Sequence, residues 1–211
     1  YLAVINANIA GGKTDAVTSQ HISMQSSIGA DGKILNQVSI TRKHSGESKE
    51  DWWYSVPNKN YLKILVPENS KLLSMKGNDR GITDNAANKT GNLKYDADLA
   101  SIEKSAVILD AFRAFLGREF GKFSFGAWVI TKPGESKTVT VQYQNGVDLK
   151  IRNNMKYEFI FEKQSGVEGS FEYSIAAPPG YAWRENGKSI FEYGTQQIKA
   201  REIITLTLLK A

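Results

Sequence analysis

The sequence predicts a mainly β fold: an antiparallel β-sandwich, divided into two immunoglobulin-like sandwich subdomains, with one inserted helix. Three observations carry that reading. Apolar residues recur at every second position through most segments, the period at which side chains alternate across a strand. Turn signals such as Asp31-Gly32 and Asn145-Gly146 punctuate those segments. The segments are short and numerous, which is the pattern of a sandwich.

Taken in order, Tyr1-Leu2-Ala3-Val4-Ile5 opens as a strand. Val17 to Ser27 alternates, and Asp31-Gly32 follows as a hairpin turn, since both residues tolerate positive φ. Ile34 to Arg42 alternates again, with Ile34, Val38 and Ile40 on one side. Strands are expected at Tyr61 to Val66 and Lys71 to Lys76, with Pro57 and Pro67 at their edges because proline cannot donate to a ladder. Residues 77–97, rich in Gly, Asn and Asp, read as a loop. Leu99, Ile102, Ala106, Leu109, Phe112 and Leu116 fall at helical spacing. The inserted helix is therefore placed near 98–117, with Asp98 as N-cap, Gly117 past its end, and its apolar stripe packed on a sheet. Phe123 to Ile130 and Lys137 to Gln144 read as a second hairpin around Lys132-Pro133-Gly134-Glu135. Asn145-Gly146 marks a boundary between a first sandwich, 1–145, and a smaller one, 146–211. Strands of the second are expected at Tyr157 to Glu162, Ser170 to Ile175, Ser189 to Tyr193 and Glu202 to Leu209.

Composition narrows the function classes. The chain has 211 residues and a net charge of +5, and its Lys and Arg are scattered. Nucleic-acid binders concentrate theirs on one face, so no nucleic-acid partner is expected. Cysteine is absent, which excludes disulfides, thiolate metal sites and cysteine nucleophiles. No apolar run is long enough to span a membrane as a helix. The chain starts inside a strand without an initiator Met. We read it as a module of a larger exported protein, with any export signal or membrane anchor upstream.

Few motifs point to chemistry. Ala7-Asn8-Ile9-Ala10-Gly11-Gly12-Lys13-Thr14 fits a loose phosphate-loop pattern. A phosphate loop must open a helix, whose N-terminal N–H groups meet the phosphates. Here the following residues run into a strand, so a Gly-rich turn with an exposed Lys is expected, without a nucleotide cofactor. The two histidines, His21 and His44, match no zinc spacing, and there is no G-x-S-x-G nucleophile elbow. No catalytic set and no metal site is assigned, and the chain is read as not an enzyme. Asp96 with Asp98, or Asp79 with Asp84, offer oxygen ligands for calcium but match no EF-hand loop; such loop carboxylates are ordinarily solvated. The densest cluster is aromatic, Asp51-Trp52-Trp53-Tyr54 running on to Tyr61. Flat rings beside amides suit a sugar-binding surface, and they equally suit the packed end of a sandwich. Trp52 and Trp53 are adjacent, so in a strand one ring enters the core and the other stays at the surface.

Three blocks, Asn6-Ala7-Asn8-Ile9-Ala10-Gly11-Gly12-Lys13-Thr14-Asp15, Trp53-Tyr54-Ser55-Val56-Pro57-Asn58-Lys59-Asn60-Tyr61-Leu62 and Val66-Pro67-Glu68-Asn69-Ser70-Lys71-Leu72, together resemble the C-terminal part of the bacterial domain-of-unknown-function 4012 family. Phe125-Gly126-Ala127-Trp128 with Pro133-Gly134-Glu135-Ser136, and Glu162-Lys163-Gln164-Ser165-Gly166, fit the same pattern in the same order. The likeness runs from Asn6 to about Gly166; 167–211 carries no such block. The resemblance implies an exported, membrane-anchored cell-envelope protein and implies no activity, substrate or catalytic residue. The functional expectation is an extracytoplasmic structural or interaction module, partnered by envelope polysaccharide or another envelope protein. The alternative is a carbohydrate-binding module using Trp52, Trp53 and Tyr54.

Overall fold

The computed structural model describes residues 1–9, 12–46, 52–80 and 94–211. Its strands are β1 (Leu2–Asn8), β2 (Thr18–Ile28), β3 (Ile34–His44), β4 (Asn58–Pro67) and β5 (Lys71–Lys76), then a helix α1 (Ala97–Ser105). After it come β6 (Val107–Leu109), β7 (Ala114–Glu119), β8 (Lys122–Thr131), β9 (Ser136–Gln144), β10 (Lys156–Lys163) and β11 (Gly169–Ala176). The series ends with β12 (Tyr181–Trp183), β13 (Ile190–Thr195) and β14 (Arg201–Lys210). They form two sheets packed face to face. The first has the order β12-β14-β10-β1-β4-β8-β7-β6, the second β13-β11-β2-β3-β9-β5.

The mainly β architecture with one helix is as the alternation predicts. The Asp31-Gly32 hairpin is present, with Ile28 opposite Ile34 and Ile22 opposite Ile40. Gly32 sits at φ +82°, and a Cβ there would lie 2.1 Å from the Leu149 carbonyl oxygen, so this turn admits only glycine.

The structure corrects four expectations. The sheets are mixed rather than purely antiparallel, since β1 runs parallel to β10 and β2 parallel to β11. The boundary at Asn145 is not a boundary between sheets. Strands from 156–210 extend both sheets of the earlier strands, and one core cluster runs from Leu2 to Leu208. Residues 123–144 are not a hairpin: β8 pairs with β4 and β7, β9 with β3 and β5, so Lys132-Pro133-Gly134-Glu135 carries the chain from one sheet to the other. Finally, α1 is capped by Asp96, whose carboxylate accepts from Leu99 N at 2.9 Å, and it ends at Ser105. Val107-Ile108-Leu109, apolar and β-branched at two of three positions, then enters a strand. Arg113, left-handed at φ 50°, turns the chain into β7. The helix buries no residue and Leu99 is exposed, whereas Leu109, Phe112 and Leu116 reach the core from strand and turn.

The core is driest where β10 faces β11. Phe159 stacks on Tyr173 and Phe161 on Phe171, both at 4.2 Å between ring centroids and nearly parallel. Trp183 is fully buried beside them and donates its indole N–H to the Ile175 carbonyl at 3.0 Å. Each such ring contributes roughly 1.5–3 kcal/mol by leaving water.

Candidate functional site

Five sheet-to-sheet connections meet at one end of the sandwich, and four others, 68–70, 145–155, 177–180 and 184–189, lie in the opposite half. The five are 9–17, 45–57, 132–135, 164–168 and 196–200. Loops mounted on a rigid sandwich end are a common setting for binding residues. The strand interiors change character as they approach this end. Along β4 the inward phase reads Val66, Ile64, Leu62, then Asn60 and Asn58; along β3 it reads Val38, Ile40, then Arg42 and His44.

Arg42 is the centre of this polar end. Its side chain is 4% exposed. One terminal nitrogen donates to Asn6 Oδ1 at 2.5 Å and Gln20 Oε1 at 3.3 Å, the other to Asp15 Oδ1 at 3.1 Å and Asn58 Oδ1 at 3.3 Å. Its Nε is buried without a hydrogen-bond partner among the described residues. Burial pulls the guanidinium pKa down, and the Asp15 carboxylate opposes that shift. Asn58 Nδ2 in turn donates to Thr14 Oγ1 at 2.9 Å and Asp15 Oδ1 at 2.8 Å. Asn60 accepts from Ala7 N and donates to Asn6 Oδ1, both at 2.9 Å. Gln164 clasps the Asn6 backbone on both sides, accepting from its N–H at 2.7 Å and donating to its carbonyl at 2.9 Å. The network therefore ties two crossing loops, 9–17 and 164–168, to the strand ends. His44, fully buried, accepts from Gly46 N through Nδ1 at 3.1 Å, so its proton sits on Nε2 and is donated to the Val56 carbonyl at 3.0 Å.

Trp52, Trp53 and Tyr54 lie in a 3-10 turn, not a strand. The expectation of one buried and one exposed ring is corrected accordingly: Trp52 is 67% and Trp53 39% exposed, with centroids 5.4 Å apart at 59°, while Tyr54 is half-buried. Opposite-facing side chains require strand geometry, which this turn lacks. The turn packs on a second 3-10 turn, Thr14–Val17, which bears Asp15. On the far side of that second turn, Asp15 to Val17, Gln20, Arg42 and 164–170 line an open cleft of about 1030 Å³. The aromatic pair, the buried arginine and the cleft thus share one end of the molecule.

The other residues singled out from the sequence fall elsewhere. Thr14 opens a four-residue 3-10 turn leading into β2, not the helix a phosphate loop requires; Ala10 and Gly11 lie outside the described residues. Asp79 accepts from Ile130 N and holds Lys137 Nζ, both at 2.6 Å, and Asp96 is occupied as a helix cap. Asp84 lies outside the described residues, and no cluster of three metal-ligating side chains occurs among those described. His21 Nδ1 lies 2.7 Å from Ser170 Oγ, with Glu172 3.8 Å from Nε2. His21 and Ser170 stand in cross-strand register on an open sheet face, with Glu172 one outward step further along β11.

Sequence reasoning missed Asn6, Gln20, Arg42, Asn58 and Asn60. The signal was present as polar residues continuing the inward phase of apolar strands, as in Asn58-x-Asn60-x-Leu62-x-Ile64.

No protein-family model matches the chain, and no curated protein matches it. Among solved structures, the fold is similar to that of a Legionella pneumophila protein named "putative nutrient binding protein", with TM-score 0.51 and 7% identity over 98% of this chain and 70% of that one. An M1 zinc metallopeptidase of Deinococcus radiodurans superposes with TM-score 0.36 as its E323A mutant with bound peptide, at 10% identity over 90% of this chain and 39% of that one. The same peptidase without that mutation gives 0.35, at 10% identity over 93% and 39%. The first is a likeness of fold alone, and the peptidase superpositions are too loose to carry even that.

Proposed function

We propose that the chain is a non-catalytic binding module of a larger bacterial cell-envelope protein, placed outside the cytoplasm, and that its ligand is a carbohydrate of the envelope. The observation that carries this reading is the exposure of Trp52 and Trp53 on a turn at the loop-rich end. Two neighbouring indole rings exposed on a turn at the end of a sandwich are unfavourable for folding alone and suit the apolar faces of a sugar. The fold likeness to a protein named for nutrient binding supports a binding role, and the resemblance to the domain-of-unknown-function 4012 family supports the envelope setting.

The second reading is a structural or interaction module that docks on another envelope protein. The exposed Val107 and Ile108 on the short edge strand β6 favour it. Affinity electrophoresis in gels containing soluble polysaccharides, with pull-down on purified peptidoglycan, separates the two. The carbohydrate reading expects retardation or capture of the parent and its loss in the Trp52→Ala/Trp53→Ala double variant. A parent that migrates freely in every gel and stays in the supernatant overturns it.

A further inference from the structure

The outward face of the second sheet has a chemistry of its own. Its three central strands present hydroxyls and amides in cross-strand rows. Thr41 and Thr138 hydroxyls lie 2.8 Å apart, Ser39 and Thr140 hydroxyls 3.3 Å, and Gln142 donates to Gln37 at 2.8 Å. Across the outward positions of β2, β3 and β9, Lys43 is the single formally charged side chain, against twenty-seven Lys and Arg and twenty-two Asp and Glu in the whole chain.

This face is also concave. Beyond the cleft at the loop end, a hollow of about 410 Å³ lies over Ser23, Gln25, Glu172 and Ser174, and one of about 530 Å³ over Gln25, Gln37 and Gln142 together with the apolar Leu35 and Ile190. The two share Gln25, Ser174 and Glu192. His21 and Ser170, in the loop-end cleft, stand one outward step before Ser23 and Glu172 on the same strands, so the three hollows follow β2 from Ser19 to Ser27. At about 3.3 Å per residue that is a trough of roughly 26 Å. Glu172 and Glu192 line its β11–β13 side and Leu73 of β5 reaches its opposite rim.

We infer that this trough on the outer face of the second sheet binds an extended, uncharged glycan chain lying along β2, an inference that rests on the carbohydrate reading above. The chemistry selects that ligand. Each hydroxyl and amide keeps donor or acceptor capacity after its cross-strand bond, so the floor offers both kinds of partner in quantity. A polyanion needs a row of Lys or Arg, and the floor supplies one Lys while Glu172 and Glu192 repel it. A second protein copy packed sheet on sheet needs a continuous apolar face, whereas here Leu35, Leu73 and Ile190 are confined to the far end and the rest of the floor is polar.

The test measures affinity for neutral oligosaccharides of increasing length, cut from whichever gel polysaccharide retards the parent, with polygalacturonate as the anionic probe. Two variants alter the trough without touching the core. Ser23→Arg obstructs its floor, and Gln37→Ala/Gln142→Ala removes paired amides from its surface. The expected result is a gain of about tenfold for the parent between short and trough-length oligosaccharides. Both variants lose that gain, keep the parent's melting temperature and retain the parent's affinity for the shortest ligand. Unchanged length dependence in both variants overturns the trough while leaving the carbohydrate reading intact. Stronger binding of polygalacturonate than of neutral chains overturns it as well, and so does a dimer by light scattering that Ser23→Arg dissociates. Absence of binding to any glycan overturns the inference and the carbohydrate reading together.

Discussion

The interior of this sandwich is driest where rings stack between β10 and β11 and wettest at the loop end of β1 to β4, with a smaller polar set, Ser26 with Asn36 and the paired Tyr157 and Tyr173 hydroxyls, away from that end. Between β10 and β11 the inward positions are Phe159, Phe161, Phe171 and Tyr173, whose rings stack across the gap. Toward the loop end, the inward positions of β1 to β4 become Asn6, Gln20, Arg42, Asn58 and Asn60, joined by directed hydrogen bonds. The dry part holds because apolar area leaves water, and it tolerates some repacking. The wet part holds only if each donor meets its acceptor, because an unpaired polar group there costs a full desolvation. Crossing loops alone do not make the difference, since four of them meet the opposite half; the loop end differs because its inward strand positions carry amides gathered around Arg42.

The largest effect on this contrast is expected from the dry side. Phe171→Ala removes a fully buried ring stacked on Phe161 and should cost about 3–5 kcal/mol in urea unfolding. A loss below about 1 kcal/mol in that titration would show the aromatic stack to be poorly packed. Next comes Arg42→Ala, which strips the donor from Asn6, Gln20 and Asn58 and leaves Asp15 without its cation. A cost of about 3 kcal/mol is expected, at the low end for a broken buried pair because the Asp15 carboxylate is half exposed. If Arg42→Ala instead unfolds with the parent, the polar end is slack and the contrast fails.

Alkaline pH attacks the dry side through its hydroxyls. Burial pushes Tyr157 up to about 12 and also raises Tyr143 and Tyr173 above the ordinary 10.0. Folding therefore favours their neutral forms, so this stability is complete below about pH 10 and declines as pH climbs through about 12. Melting temperatures recorded from mildly alkaline pH up to about pH 12 should be flat at first and then fall, with Tyr157→Phe blunting the fall. The smallest effect is expected at the surface. Trp52→Ala should shift stability by no more than about 0.5 kcal/mol, since Trp52 is largely in water, and Trp53→Ala, at a site 39% exposed, by no more than about 1 kcal/mol. A strong loss from either would mean that the loop end is held by its aromatics rather than by Arg42.

Much of the strand content was legible because alternation and turn chemistry agree, as in the hairpin closed at Asp31-Gly32. What sequence could not convey is which sheet a strand joins. Pro133-Gly134 makes the same tight turn whether the next strand pairs with the last or crosses to the facing sheet, and only packing separates the two. The helix was half legible: Leu99 to Leu116 keeps a spacing that a short helix, a 3-10 turn and two short strands satisfy equally well. The polar end was written in the sequence as amides in the inward phase. Those amides become meaningful only once β1, β2, β3 and β4 are known to converge.

The parallel pairing of β1 with β10 and β2 with β11 also sets a clock. Leu2 meets Phe161, and Ile22 meets Phe171. At roughly 5–20 residues per second of synthesis, about 8–30 s separate the two members of the β1–β10 pair. Through that interval β1 and β2 each have one long open edge, at the centre of what will become the two sheets. Nascent chains of this protein therefore pass through a sticky half-sandwich, and pairings so distant along the chain slow its closure further. A ribosome stalled before β10 would hold a species prone to pair with its neighbours on the same message.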